Sequence, residues 1–155
     1  MSDVHTQMDD ALMREALLRA QKSTDRSRQV GCVIADHKGS ILADGWNTVP
    51  QGCVHTEERH QRPAKYLWIE HAERNAIYDA ARRGIALEGA TIYVPWYPCF
   101  ECARAIVNCG IQRTVSYTPD FTDPHWGPDF REVKILFDEV GMNITSLEGS
   151  APDRR

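Results

Sequence analysis

The chain has 155 residues, 42% apolar and 26% charged, which is enough to bury one sizeable core, so a single domain over 1–155 with its core at about 9–148 is expected. Its net charge of −4 lacks the basic excess with which proteins neutralise a phosphate backbone, so nucleic acid is not the expected partner. No apolar run nears the roughly 20 residues that cross a bilayer, and residues 1–10 are acidic and polar where a secretory leader would be basic and then apolar, so a cytoplasmic protein is expected.

Over 9–21, Leu12, Ala16, Leu17 and Ala20 recur at helical spacing after a cap candidate at Thr6. Residues 30–35 and 41–46 read as strands joined across His37-Lys38-Gly39 as a hairpin. A polar stretch with Pro50, Gly52 and Pro63 reads as a loop. Residues 68–83 carry a helical pattern (Ile69, Ala72, Ala76, Ile77, Ala80, Ala81) that Gly84 stops. A strand at 90–94, a helix at 99–108 ending near Gly110 and a strand at 113–117 follow. After a loop with Pro119, Pro124 and Pro128 come a helix at 130–139, a strand at 142–147 and a frayed tail. The order α-β-β-α-β-α-β-α-β implies an α/β fold. Its mixed five-stranded sheet is flanked by helices, with the first strand pair antiparallel and the later ones parallel.

Five cysteines, an odd number with two of them three apart, point to metal or catalytic chemistry before a disulfide framework. The chain reads His71-Ala72-Glu73 and, further on, Pro98-Cys99-Phe100-Glu101-Cys102. Zinc takes thiolate and imidazole in tetrahedral geometry, and a catalytic site keeps one position open for water. Cys99 and Cys102 open one predicted helix and His71 another, and helix N-termini favour thiolates. Glu73 leaves its helix in a different direction from His71. It is placed beside the water, whose pKa zinc lowers towards about 7, as a proton shuttle. A lone C-x-x-C also suits a redox pair or a structural zinc site. The first does not explain His71 and Glu73, and the second needs a fourth protein ligand.

The stretch His71-Ala72-Glu73-Arg74-Asn75-Ala76-Ile77 resembles the H-A-E-x-N-A-I of deoxycytidylate deaminases, and Tyr97-Pro98-Cys99-Phe100-Glu101-Cys102-Ala103-Arg104 resembles their F-P-C-x-E-C-A-K. Val30-Gly31-Cys32-Val33-Ile34 and Gly45-Trp46-Asn47-Thr48-Val49-Pro50 are similar to the family's V-G-A-V-I strand and G-Y-N-G-x-P loop. The resemblance covers roughly 26–117. It implies the three-layer cytidine-deaminase-like fold and catalytic zinc on His71, Cys99 and Cys102. It also implies Glu73 as the proton carrier, attack at C4 by zinc-bound hydroxide, and conversion of dCMP to dUMP and ammonia. Asn47 would contact the sugar or phosphate end, and relatives imply a homo-oligomer. Thr48 stands where the family's loop has a second glycine, so little response to dCTP or dTTP is expected.

Arg26 and Arg28 are candidates for a 5′-phosphate, which guanidinium suits, with solvated surface arginine as the alternative. With Asn47 and Ala72 they complete the expected substrate-binding set. Cys53, His55 and His60 either hold a second metal or sit in a solvated loop. Cys32 and Cys109 read as small core residues, and Arg82 and Arg83 as cations at a helix C-terminus. Trp96, His125 and Trp126 either wall a base pocket or pack in a core or interface. Competing functions are a tRNA adenosine deaminase, a free-nucleoside or free-base deaminase, and a non-catalytic zinc-stabilised binding protein.

Overall fold

The computed structural model describes residues 6–152; residues 1–5 and the tail's 153–155 lie outside it. Helix α1 (Gln7–Ala20) starts where Thr6 accepts from Asp9 N–H and Asp9 accepts in return from Thr6 N–H, a reciprocal cap. Strands β1 (Gly31–Ala35) and β2 (Ile41–Trp46) form the expected antiparallel hairpin, with a register shift at Ile34/Ala35. A 3-10 turn (Glu58–His60) and a one-turn helix α2 (Lys65–Trp68) follow, then α3 (Ala72–Arg83), β3 (Thr91–Tyr93) and α4 (Phe100–Asn108). The last elements are β4 (Arg113–Tyr117), α5 (Gly127–Val140) and β5 (Asn143–Leu147).

The five strands lie in the order β2-β1-β3-β4-β5. β1 pairs antiparallel with β2 and β3, while β3, β4 and β5 run parallel. Every residue of β1 is buried, as expected of a strand covered on both faces. On one face Leu12, Met13 and Ala16 of α1 pack on Val33, Tyr93, Val115 and Leu147. On the other, Ala72, Ala76 and Ala80 of α3, Ile106 of α4 and Phe137 of α5 pack on Cys32, Ile34, Ile92 and Val94. The sheet is thus sandwiched between α1 and the layer α3–α4–α5. The described residues contain no helix long and apolar enough to cross a membrane.

Gly45 sets how closely that second layer approaches. A Cβ there would lie 2.4 Å from the Ala76 nitrogen and 2.5 Å from the Ala72 oxygen, so α3 rests its first turn directly on β2. Asn75 Nδ2 donates to Trp46 O at 2.8 Å and fixes the same contact.

Two boundaries differ from expectation. The helix expected over 68–83 is broken: α2 ends at Trp68, Ile69 is extended, and Thr48 and Glu70 exchange both backbone hydrogen bonds (3.2 and 2.9 Å) before α3 begins. Helical periodicity cannot register a bridge to a residue 22 positions away, and the bridge frees His71 to stand at a helix entrance. α5 begins at Gly127, three residues before the expected start, because Pro128 fits the first turn, where its missing N–H costs nothing.

Candidate active site

His71 is the N-cap of α3 and Cys99 the N-cap of α4, both with extended backbone (ψ 151° and 167°). Neither side chain caps its own helix, so both are left to face each other. Cys102, buried in the first turn of α4, completes the group. His71 Nδ1 lies 3.5 Å from Cys99 Sγ and 3.4 Å from Cys102 Sγ, and all three donor atoms fall within 4.8 Å of one another. Tetrahedral zinc with ordinary Zn–S and Zn–N bonds separates such donors by about 3.5 Å. The set therefore fits a zinc ion in both chemistry and spacing. Without metal, the hydrogen bond from Cys102 first, and then His71, pull the Cys99 thiol down to about 4 against the effect of burial. Cys99 and burial push Cys102 up, so one sulfur already carries the charge a metal needs.

The ligands are held from behind. Glu70 Oε1 accepts from His71 N–H (2.9 Å) and from Arg74 Nε (2.7 Å), and Arg74 reaches Glu101 on α4 (3.1 Å). Asp129 of α5 accepts from Phe100 N–H at 2.8 Å, which satisfies an otherwise orphan donor at the start of α4. Glu73 is 5% exposed and lies outside the three-donor group. Burial raises its proton affinity, with the His71 charge acting in the other direction.

His71, Glu73 and Cys99 line a cavity of about 470 Å³. Trp96, Tyr97, His125, Trp126 and Phe130 line its aromatic side. Trp126 stacks on Phe130 (6.3 Å) and Tyr97 meets Phe130 edge-on (5.4 Å), so the three tryptophan and histidine candidates take the pocket-wall role. The rest of the lining includes Asp25, Ser27, Arg28, Asn47, Arg62, Lys65 and Tyr66. Arg28 lays its guanidinium over Trp96 at 4.0 Å and has no carboxylate partner among the described residues.

The expected substrate set is brought together only in part. Ala72 and Arg28 line the cavity, and so does Asn47. The Asn47 side chain accepts from Val30 N–H and donates to Arg28 O (both 2.8 Å), which ties down the segment before β1 and leaves one amide hydrogen for a ligand. Arg26 is not in the site: it pairs with Glu57 at 2.9 Å on the surface, its side chain 62% exposed. Backbone geometry separates the two arginines, since Asp25 Oδ1 accepts from both Ser27 and Arg28 N–H and turns the chain between them.

Among the described residues, His71, Cys99 and Cys102 form the one cluster able to share an ion, so Cys53, His55 and His60 do not make a second. His60 is buried instead, with Nδ1 on Thr56 O (2.7 Å) and its ring stacked on His55. Cys32 is a core residue, and Cys109 closes α4 half-buried. Arg83 pairs with Asp79, and Arg82 meets Gln51. Asp25, Arg62, Lys65 and Phe130 were not singled out from the sequence. The first and third are 40 positions apart, and no local pattern joins them.

Residues 6–118 match the family model for the cytidine and deoxycytidylate deaminase zinc-binding region. The chain belongs to this family. It is 32% identical over 145 residues to a probable deoxycytidylate deaminase of Drosophila melanogaster, covering 86% of this chain and 69% of that one. It is 30% identical over 148 residues to the Homo sapiens deoxycytidylate deaminase, covering 92% and 80%. The dCMP deaminase of cyanophage S-TIM5 in apo form superposes with a TM-score of 0.72 at 25% identity, over 93% of this chain and all of that one. The deaminase fold is thereby shown, with its mixed five-stranded sheet and flanking helices. The chain is a zinc-dependent hydrolytic deaminase.

Proposed function

We propose that this deaminase converts dCMP to dUMP and ammonia. The observation that carries the reading is one cavity lined both by His71 and Cys99 of the zinc set with the buried Glu73 and by Arg28, a guanidinium with no carboxylate partner among the described residues. A nucleoside monophosphate has a base to present to the first and a dianion to present to the second. The relatives named deoxycytidylate deaminases support the same substrate.

In this reading His71, Cys99 and Cys102 hold zinc, which supplies Lewis acidity that brings the pKa of water towards about 7. Glu73 takes a proton from the attacking water as its oxygen bonds to C4 and delivers it to the ring nitrogen N3. Glu73 then takes the remaining proton of that water from the C4 hydroxyl and moves it onto the exocyclic amine, so that the C4–N bond breaks, the C4 carbonyl forms and ammonia leaves. Its burial keeps bulk water from competing for those protons. The aromatic wall gives a flat face for the base, and the spare Asn47 amide hydrogen and Arg28 serve the sugar and phosphate. We further infer assembly with other copies of the chain, supported by the exposed apolar Val54, Tyr66 and Leu67 and testable by sedimentation.

Ammonia release from dCMP, CMP, deoxycytidine, guanine and a tRNA anticodon stem tests the substrate. dCMP should react fastest. Comparable rates on dCMP and deoxycytidine defeat the nucleotide reading.

A further inference from the structure

Of the cationic groups lining the cavity, Lys65 is in an unusual position. It belongs to the one-turn helix α2, and its side chain is 9% exposed. Its ammonium donates to Asp25 Oδ1 (3.3 Å), Asp25 Oδ2 (3.1 Å) and Ser27 Oγ (3.3 Å). Three donors meet three acceptors, so Lys65 has none left for a ligand. Asp25 in turn is 7% exposed and, besides Glu73, is the only carboxylate lining the cavity among the described residues. Its Oδ1 also accepts from Ser27 N–H (2.7 Å) and Arg28 N–H (3.0 Å). A buried acid thus sits at the base of the loop that presents the free cation Arg28.

An acid there works against anion binding in two ways. Its charge repels a phosphate, and its carboxylate, already bonded to the Arg28 backbone N–H at 3.0 Å, competes with that phosphate for the Arg28 guanidinium. Lys65 removes both effects. We propose that Lys65 and Asp25 form a positioning pair that sets the preference for phosphorylated over unphosphorylated substrate. Asp25 shapes the loop, and Lys65 cancels its charge so that Arg28 stays available to the anion. The inference rests on the nucleotide reading above and assigns Lys65 no contact with substrate.

The test is the ratio of kcat/KM for dCMP to kcat/KM for deoxycytidine, measured on the zinc-loaded full chain. Lys65→Met leaves the buried carboxylate uncompensated and should lower the ratio at least about tenfold. Asp25→Asn keeps an acceptor for Ser27 and Arg28 while removing the repelling charge, and should not lower it. Asp25→Asn combined with Lys65→Met should return the ratio to within about threefold of the parent, because neither charge remains. A pair that merely staples α2 to the loop predicts otherwise, with loss in either single variant and no recovery in the double. That pattern, or an unchanged ratio in Lys65→Met, overturns the proposal while leaving the nucleotide reading intact. A parent ratio near one overturns the nucleotide reading itself. Should Lys65→Met fail to fold with its zinc, Asp25→Asn and the double variant decide, and a tenfold fall in either overturns the pair.

Discussion

Arg26 and Arg28 flank a single serine, yet the structure gives them opposite surroundings, and the contrast yields a paired prediction. Arg28 lines the cavity with its guanidinium over Trp96 and no carboxylate paired with that guanidinium among the described residues. A charge-assisted contact to phosphate contributes about 1.5–3 kcal/mol, so Arg28→Ala should lower kcat/KM for dCMP by about 10- to 150-fold. Arg26 pairs with Glu57 where both side chains are about 60% exposed (62% and 60%). Exposed pairs contribute about 0–1 kcal/mol to stability, and this one touches nothing in the cavity, so Arg26→Ala should change kcat/KM by less than about twofold. Steady-state ammonia release with dCMP and deoxycytidine measures both. Deoxycytidine offers no phosphate, so Arg28→Ala should lose far less on it than on dCMP. Equal losses on the two substrates, or a loss in Arg26→Ala matching that in Arg28→Ala, would refute the placement of the anion end.

Three further outcomes follow from the site and the fold. Purified protein should carry close to one zinc per chain, and Cys99→Ala should lose both metal and turnover, read by metal analysis; full occupancy in that variant removes Cys99 from the ligand set. Glu73→Ala should keep zinc and fold while turnover drops by about 10²–10⁴-fold; loss of the metal would instead make Glu73 a ligand. Asp9 is 1% exposed and bonded by Arg113, Tyr93 and Thr6, and although burial pushes its pKa up, the bonds from Arg113, Thr6 N–H and Tyr93 outweigh it and hold the group below the usual range. A depressed folded pKa gives stability that is present above the unfolded value near 3.9 and is lost as pH falls through the folded one. Asp9→Asn should therefore unfold about 1.5–3 kcal/mol more easily in urea at pH 7, with the gap to the parent closing below about pH 4; a gap constant down to pH 2 contradicts the assignment.

The elements that sequence reasoning located were those whose signals are local. Thr6 and Asp9 announce α1 from three residues apart, and Gly84 with a positive φ ends α3 where the helical pattern stops. The short, glycine-bearing connection His37-Lys38-Gly39 gives the hairpin without reference to the rest of the chain. The break before α3 was invisible for the opposite reason. Ile69 falls in the apolar pattern and Glu70 is a residue that a helix would accept, and Thr48, from the end of the hairpin, holds them extended.

The same division runs through the cavity and separates its two jobs. The reaction end is written in short motifs because each ligand sits at or just inside a helix entrance, where three or four consecutive residues fix both backbone and side chain. The residues proposed for the anion come from the loop before β1, the hairpin's exit and α2, and the Lys65–Asp25 contact joins residues 40 positions apart. A single substitution in the first set is expected to remove metal or proton transfer outright. A substitution in the second is expected to leave that chemistry in place and to alter which molecule reaches it. Substrate choice in this deaminase should therefore be sought in Asp25, Arg28 and Lys65 before His71, Glu73, Cys99 or Cys102. A change of substrate should come from altering the first group with zinc retained.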